Sequence, residues 1–199
     1  MTARLVWDDG IGHLDASPVA YDAAYFDKYV CMADTDMGRA LTRSRLDLVA
    51  RHHAGDVLDV GIGCGQFVTA RMNAGGNTCG FDVNPTGIAW LRVRGLYRDL
   101  YDCEHEALTF WDSLEHIETP AGAVATARKW VFVSLPIFLD VEHCMTSKHF
   151  RPGEHIWYFT DAGLRRWFGE QGFECVEANT AETDLGREDI GSYAFRRID

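Results

Sequence analysis

From residue 57 onward, short apolar runs alternate with polar stretches punctuated by glycine and proline. Val57, Leu58 and Val60 form the first run, a β-branched one that predicts a buried strand. Candidate strands follow at 77–83 (NTCGFDV), 96–100 (LYRDL, a strand or its remnant), 107–111 (ALTFW), 130–134 (WVFVS), 173–178 and 192–198. The run WVFVS is apolar throughout, as a central parallel strand requires, and Pro136 is expected to stop it. Between the runs the period becomes helical. Leu41, Leu48, Val49 and His52 share one side of a helix over 41–53, which Gly55 closes. A helix-compatible stretch reaches from the glycines at 61–65 to about Asn73. Asn84-Pro85 supplies an N-cap and first position for the next helix, closed by Gly95, and Thr119-Pro120 repeats the device. Thr160 caps a helix in which Leu164, Trp167 and Phe168 recur at i, i+3 and i+4, with Gly172 at its end. Seven strands alternating with helices predict an α/β fold, a mostly parallel sheet with helices on both faces.

The first 54 residues read differently. Residues 1–20 are polar and mixed, predicting a loop or loosely packed arm. Tyr21, Tyr25 and Tyr29 recur every four residues and share a helix face. Such a stripe packs on the domain or serves as a lid. The chain divides into an N-terminal helical arm or lid, 1–54, and a core, 55–199, within one compact domain.

The strand at 57–60 runs directly into Gly61, Gly63 and Gly65. A strand, a glycine turn and a helix together make a nucleotide site. Glycine adopts positive φ and lets a ligand approach the backbone, and the helix start offers free N–H groups. Asp82 lies near the end of the next strand, where a carboxylate can accept both hydroxyls of a ribose. A dinucleotide fingerprint needs G-x-G-x-x-G, but position 66 is Gln66 and the pattern present is G-x-G-x-G. Asp59, just ahead of the turn, would repel a pyrophosphate and suits a ligand with an ammonium and a sulfonium.

This stretch resembles the first motif of the class I S-adenosylmethionine-dependent methyltransferases, hydrophobic-x-D-hydrophobic-G-x-G-x-G. Two further segments carry the resemblance: TFWDSLEHI after the fourth strand, and GEHIWYFTDAGLRRWFGEQGFE around the last helix, comparable to the ubiquinone-type O-methyltransferases. It spans residues 55–199 and implies a Rossmann-like sheet with an antiparallel last strand. It also implies S-adenosylmethionine as cofactor. Gly61, Gly63 and Gly65 would lie under the methionine half, with Asp59 beside them and Asp82 on the ribose. Val83, Asp99 and Leu100 would line the rest of the cofactor site, with Trp111 and Asp112 bordering the sulfonium. Asp102 competes with Asp99 for the adenine amino group. His116 and His155 become candidate bases, His116 equally a packed polar residue. Trp157 and Tyr158, with His143 and His149, would face the acceptor.

Composition narrows the acceptor. The net charge of −11 and the pI near 5.1 disfavour a nucleic-acid partner, which calls for a basic face. The post-strand-four turn, Trp111-Asp112-Ser113-Leu114, lacks the N/D-P-P-Y pattern of adenine-N6 and cytosine-N4 enzymes, and no proline precedes a cysteine as in cytosine-C5 enzymes. A small-molecule acceptor is therefore expected. Six spaced cysteines without C-x-x-C fit reduced thiols in a cytoplasmic protein. No signal peptide or membrane span is expected. The insert at 137–156 is expected to be irregular. It carries His143, His149 and His155 with Asp140, Glu142 and Glu154, but their spacings match no metal signature, so no metal is assigned. Two other classes stay open. One is a catalytically silent S-adenosylmethionine-binding partner protein. The other is a nicotinamide-dependent oxidoreductase, disfavoured by Gln66 and Asp59.

Overall fold

The computed structural model describes residues 4–15 and 19–198. Its chain opens with a hairpin, β1 (Leu5–Asp8) and β2 (Ile11–Leu14), where the sequence predicts a loop. Residues 1–3 and 16–18 of that predicted loop lie outside the described residues. The hairpin turn is Asp9-Gly10, both at positive φ, the dipeptide that two-residue turns favour. Helices α1 (Ala23–Ala33) and α2 (Asp36–His52) follow, capped by Asp22 and Thr35. Helix α2 begins five residues earlier than the apolar pattern shows. It ends at His53, whose extended backbone breaks the helix before Gly55 is reached.

The core then takes the predicted order. Strand β3 (Val57–Val60) leads through the glycine turn into α3 (Gln66–Asn73), then β4 (Thr78–Phe81) and α4 (Pro85–Val93). Asn84 caps α4 through its side chain, as its position predicts. The segment 96–100 is a remnant only: Tyr97 forms an isolated parallel bridge to Gly80. Strand β5 (His105–Trp111), a short 3-10 turn at Leu114–His116, α5 (Pro120–Ala125) and β6 (Ala127–Phe138) come next.

Pro136 does not stop β6. Pairing with β5 ends at Ser134, and Ile137 N–H turns the other way, to the Asp189 carbonyl at 2.8 Å. Successive amides alternate sides, so the missing N–H of Pro136 faces the gap between the last β5 pair, at Ser134, and the first β7 pair, at Ile137. The insert at 137–156 is partly regular, with α6 (Val141–Thr146), and it leads into a strand the sequence reading lacks, β7 (Trp157–Thr160). The chain closes with α7 (Asp161–Glu170), β8 (Phe173–Asn179), the short α8 (Ala181–Asp184) between the last two predicted strands, and β9 (Ile190–Arg197).

Nine strands form one sheet among the described residues, in the order β1-β2-β7-β6-β5-β3-β4, with β9 and then β8 branching from β6. Pairs β3–β4, β3–β5, β5–β6 and β6–β7 are parallel, and β9 is antiparallel to β6. Strand residues alternate between two cores. Leu58, Val60, Leu108, Phe110, Val131, Val133 and Phe195 face Leu164 and Phe168 of α7. Val57, Ala107, Trp111, Phe132 and Ala194 face Leu48 and Val49 of α2 and Phe67 of α3. Both faces of the sheet are thus dry, and the polar work of the molecule falls to the strand ends. Among the described residues, no helix is long and apolar enough to cross a membrane. All six cysteines are free.

Candidate functional site

The carboxyl ends of β3, β4 and β5 converge on the glycine turn. Gly61, Gly63 and Gly65 all have φ between 56° and 78°, the left-handed region that favours glycine. Two of them are also pinned by neighbours. A Cβ on Gly61 would lie 2.7 Å from the Cβ of Ser113, and one on Gly65 would lie 2.5 Å from the Trp90 ring. The turn is tied to the sheet by Gly61 N–H to the Phe81 carbonyl at 2.8 Å and by Ser113 Oγ to the Val60 carbonyl at 2.6 Å. Gly65 has no capping side chain, so the first N–H groups of α3 are not screened by one.

Three acids stand around this turn in different states. Asp59 is buried on β3 and accepts the Thr109 hydroxyl at 2.7 Å. Burial pushes it up to about 7, against that hydrogen bond and the Arg45 charge. Asp82, also buried, accepts Asn84 N–H at 2.7 Å. Burial raises its pKa too, opposed by the backbone amides of Asn84, Ile62 and Val83. Asp112 follows β5 at φ 54°. Its carboxylate is bound by Arg187 at 2.8 Å and Arg45 at 2.9 Å. Burial would raise Asp112, but the two arginines outweigh it and hold it at about 2. The same arginines bind Glu182, whose carboxylate also accepts the Ser134 hydroxyl at 2.7 Å. The carboxylate of Asp112 therefore serves this ion cluster.

The remaining cofactor candidates are spread in exposure. Val83 is exposed, whereas Leu100 is fully buried in the main core. Asp99 accepts Tyr101 N–H at 2.9 Å, and Asp102 is exposed. Trp111 packs edge-on against Phe67 and beneath the Arg45 guanidinium, with its Nε1–H buried and unpartnered.

Helix α1 crosses these strand ends. The Asn84 side chain donates to the Asp22 carbonyl at 2.9 Å, Gln66 donates to the Ala33 carbonyl at 2.9 Å, and a Cβ on Gly63 would lie 3.4 Å from the Tyr29 ring. The Tyr25 and Tyr29 hydroxyls are 3.1 Å apart, and the Tyr21 hydroxyl lies 3.2 Å from His116 Nδ1. The tyrosine face is half-buried over the glycine turn and the 3-10 turn. The concavity lined by Asp56, Asn77, His105 and Glu106 lies at the other, amino-terminal ends of the same strands.

The histidines separate into two groups. His116 and His155 meet edge-to-face with ring centroids 4.7 Å apart, beside the buried Glu115. Trp157 joins them through its Nε1–H to the Ile117 carbonyl at 3.0 Å. His143 and His149 turn instead to the segment before β9. His143 Nε2 lies 3.4 Å from Asp189, and His149 Nε2 donates to the Glu188 carbonyl at 2.9 Å. Tyr158 is 1% exposed and its hydroxyl donates to the His155 carbonyl at 3.2 Å, so it supports the site from the core. Sequence reasoning did not single out Glu115, Arg45, Arg187 or Glu182. Glu115 stands inside TFWDSLEHI, and its apolar neighbours are the one local sign of its burial.

Comparison with known proteins adds a family-level result. A family model described as a methyltransferase domain matches residues 33–178. No curated protein matches the chain in sequence. Solved structures share the fold at low identity. The magnesium protoporphyrin IX methyltransferase of Synechocystis PCC 6803, with bound SAH, is 14% identical over 88% of this chain and 95% of its own, with a TM-score of 0.64. The 1,6-didemethyltoxoflavin-N1-methyltransferase of Burkholderia thailandensis is 14% identical over 99% and 100%, with a TM-score of 0.59. The CcbJ methyltransferase of Streptomyces caelestis is 13% identical over 79% and 89%, with a TM-score of 0.54.

Proposed function

The chain belongs to the methyltransferase-domain family, and from that premise we propose that it methylates an oxygen or nitrogen of a small-molecule acceptor, with S-adenosylmethionine as donor. One observation carries the reading. Three left-handed glycines precede α3, and the Asp82 carboxylate stands at the end of the adjoining strand. A Cβ at Gly61 or Gly65 would strike Ser113 or the Trp90 ring, so only glycine keeps this backbone turn in place beside Asp82, an arrangement that fits the cofactor. Gly61, Gly63 and Gly65 would hold its methionine half by backbone approach, and Asp82 its ribose hydroxyls. Val83, Asp99 and the backbone of Leu100 would frame the adenine.

S-adenosylmethionine supplies a carbon already activated by a sulfonium, so transfer is an in-line displacement. The chain's own task is then to align the acceptor and keep water out. Helix α1 does the second as a lid of the 1–54 segment over the core, 55–199. Its tyrosines stand between the glycine turn and His116. Neutral His116 and His155 face the acceptor from the other side. Burial lowers the pKa of both, so either is an unprotonated base near neutral pH.

A small-molecule acceptor is supported by the net charge of −11 and by the acceptors named for the fold's porphyrin and toxoflavin enzymes. Within the family, TFWDSLEHI and the segment before α7 favour the ubiquinone-type O-methyltransferases as the subgroup. Six free thiols suit the cytoplasm.

The test is calorimetry with S-adenosylmethionine, S-adenosylhomocysteine and NADH, for wild type and Asp82→Ala. Micromolar binding of both sulfur ligands, weakened at least tenfold in the variant, is the expected result. Binding of NADH in their place would overturn it. Binding of the sulfur ligands with no turnover across hydroxyl and amine acceptors would instead indicate a silent partner protein.

A further inference from the structure

Glu115, His116 and His155 each offer one ligand atom, and these atoms lie within 4.8 Å of one another. Glu115 is 1% exposed, and neither of its carboxylate oxygens has a hydrogen-bond partner. A buried carboxylate without partners is costly, and native proteins rarely leave one so. The cations nearby are committed elsewhere. Arg45 and Arg187 bind Asp112 and Glu182, and Arg151 pairs with Glu154 at 3.1 Å.

His116 Nε2 lies 4.0 Å from Glu115 Oε1, beyond hydrogen-bond reach. The tautomer of His116 is fixed by its other nitrogen. Nδ1 lies 2.8 Å from the Glu154 carbonyl oxygen, which can only accept. Nδ1 therefore carries the ring hydrogen, and Nε2 is left with its lone pair on the Glu115 side. A backbone carbonyl on the far N–H is how metal-binding histidines are oriented. His155 is 5% exposed, and its ring makes no hydrogen bond among the described residues. One of its ring nitrogens is therefore free to offer a lone pair toward Glu115 and His116.

We propose that Glu115, His116 and His155 form a binding site for a divalent transition ion of the zinc class. Two neutral imidazoles and one carboxylate form a donor set of catalytic zinc sites, which keep a fourth position open. Magnesium and calcium prefer all-oxygen shells, and this set is two-thirds nitrogen. Bonds of about 2.0–2.1 Å put tetrahedral donors about 3.3 Å apart, so the cluster closes by about an ångström on binding. Only His155 comes from the histidine-rich insert; the 3-10 turn after β5 brings the other two ligands to it.

The consequence for substrate class rests on the proposed methyl transfer. The cluster begins two residues after Ser113, which packs on Gly61. An acceptor hydroxyl in the open position would lose its proton to solvent at neutral pH. Its oxygen would then form the bond to the methyl carbon as the carbon–sulfur bond breaks, with the electron pair passing to sulfur. The structure thus favours a hydroxylated acceptor over an amine.

The test uses the full chain, stripped with chelator and titrated with Co²⁺ by visible absorption and with Zn²⁺ by calorimetry. Wild type, Glu115→Gln and His155→Gln are compared, with S-adenosylmethionine affinity measured on each sample. The expected result is one ion per chain with a tetrahedral cobalt spectrum, and affinity lowered at least 100-fold in both variants. Glutamine is isosteric with Glu115, so that variant folds even if His155→Gln does not. No cobalt spectrum in wild type, or binding unchanged in Glu115→Gln, overturns the site. Retained S-adenosylmethionine binding in that case leaves the methyltransferase reading standing, so the two failures are distinguishable.

Discussion

Arg45 on α2 reaches across to Asp112 after β5, its Nη2 2.9 Å from the carboxylate, while its Nε donates to Glu182 at 2.7 Å. Arg187 repeats the bridge from the other side, 2.8 Å from Asp112. Two arginines and two carboxylates thus balance in a largely buried cluster that joins α2, the post-β5 turn and α8. Removing one partner leaves an uncompensated charge, which is far worse than removing a matched pair. Arg187→Ala is expected to lower stability by about 3 kcal/mol in urea denaturation. The pair Arg187→Met with Glu182→Leu is expected to recover most of that loss. If both variants are equally unstable, the cluster's charge balance is not what holds the turn.

Gly65 and Trp90 set a second constraint. At φ 78° a side chain at position 65 is strained, and its Cβ would stand 2.5 Å from the indole. Gly65→Ala is expected to weaken S-adenosylmethionine binding at least tenfold and to lower the melting temperature. Adding Trp90→Leu relieves the clash but not the backbone strain, so it is expected to restore part of the melting temperature. Full recovery would show that φ at this position is not limiting.

The parts of the molecule that were legible in the sequence are those written locally. A β-branched run, three glycines and an acid one strand later are contiguous signals, and β3, the turn, α3 and Asp82 stand where they predict. Caps at Asn84 and Thr160 read equally well, because one side chain and one amide three or fewer residues away define them. The hairpin β1–β2 was missed although Asp9-Gly10 announces it. Its four-residue strands alternate too briefly to stand out, and what fixes them is pairing with β7, some 150 residues away. The Arg45–Glu182 contact spans 137 residues and has no local trace. Glu115 was illegible for another reason. Its residue type predicts exposure, and only the assembled turn, with His155 arriving from the insert, reveals it as buried and unpartnered.

Asp59 makes a pH prediction of one sign. It faces Thr109, with Arg45 and Asp82 as its charged surroundings. Burial raises its folded pKa to about 7, above the unfolded value, so between about pH 4 and pH 7 the folded state holds a proton that the unfolded state has lost. Stability from this group therefore falls as pH rises through that window. Asp59→Asn can still accept the Thr109 hydroxyl and does not titrate. The variant is expected to match wild type near pH 4.5 and to exceed it at pH 8, measured by urea denaturation without cofactor. Wild type gaining on the variant above pH 7 would mean that the ionised carboxylate is stabilised in place.

Glu177 makes the opposite one. On β8 it receives Arg51 at 2.6 Å, His52 at 2.7 Å and Asn179 at 2.9 Å, tying the last turn of α2 to the sheet. The Arg51 hydrogen bonds, with smaller contributions from His52 and Asn179, hold its pKa at about 2 against the desolvation of its site. A carboxylate depressed in the folded state contributes stability above its unfolded pKa of about 4.3 and loses it as pH falls through the folded value. Glu177→Gln is therefore expected to cost about 1 kcal/mol at pH 7, given the solvent exposure of the pair, and nothing once wild type is protonated below about pH 2. Raising the salt concentration at pH 7 is expected to shrink the difference, since Arg51 is half-exposed. A difference between the two proteins that does not change from pH 7 to pH 2 would show that Glu177 holds α2 by packing and not by charge.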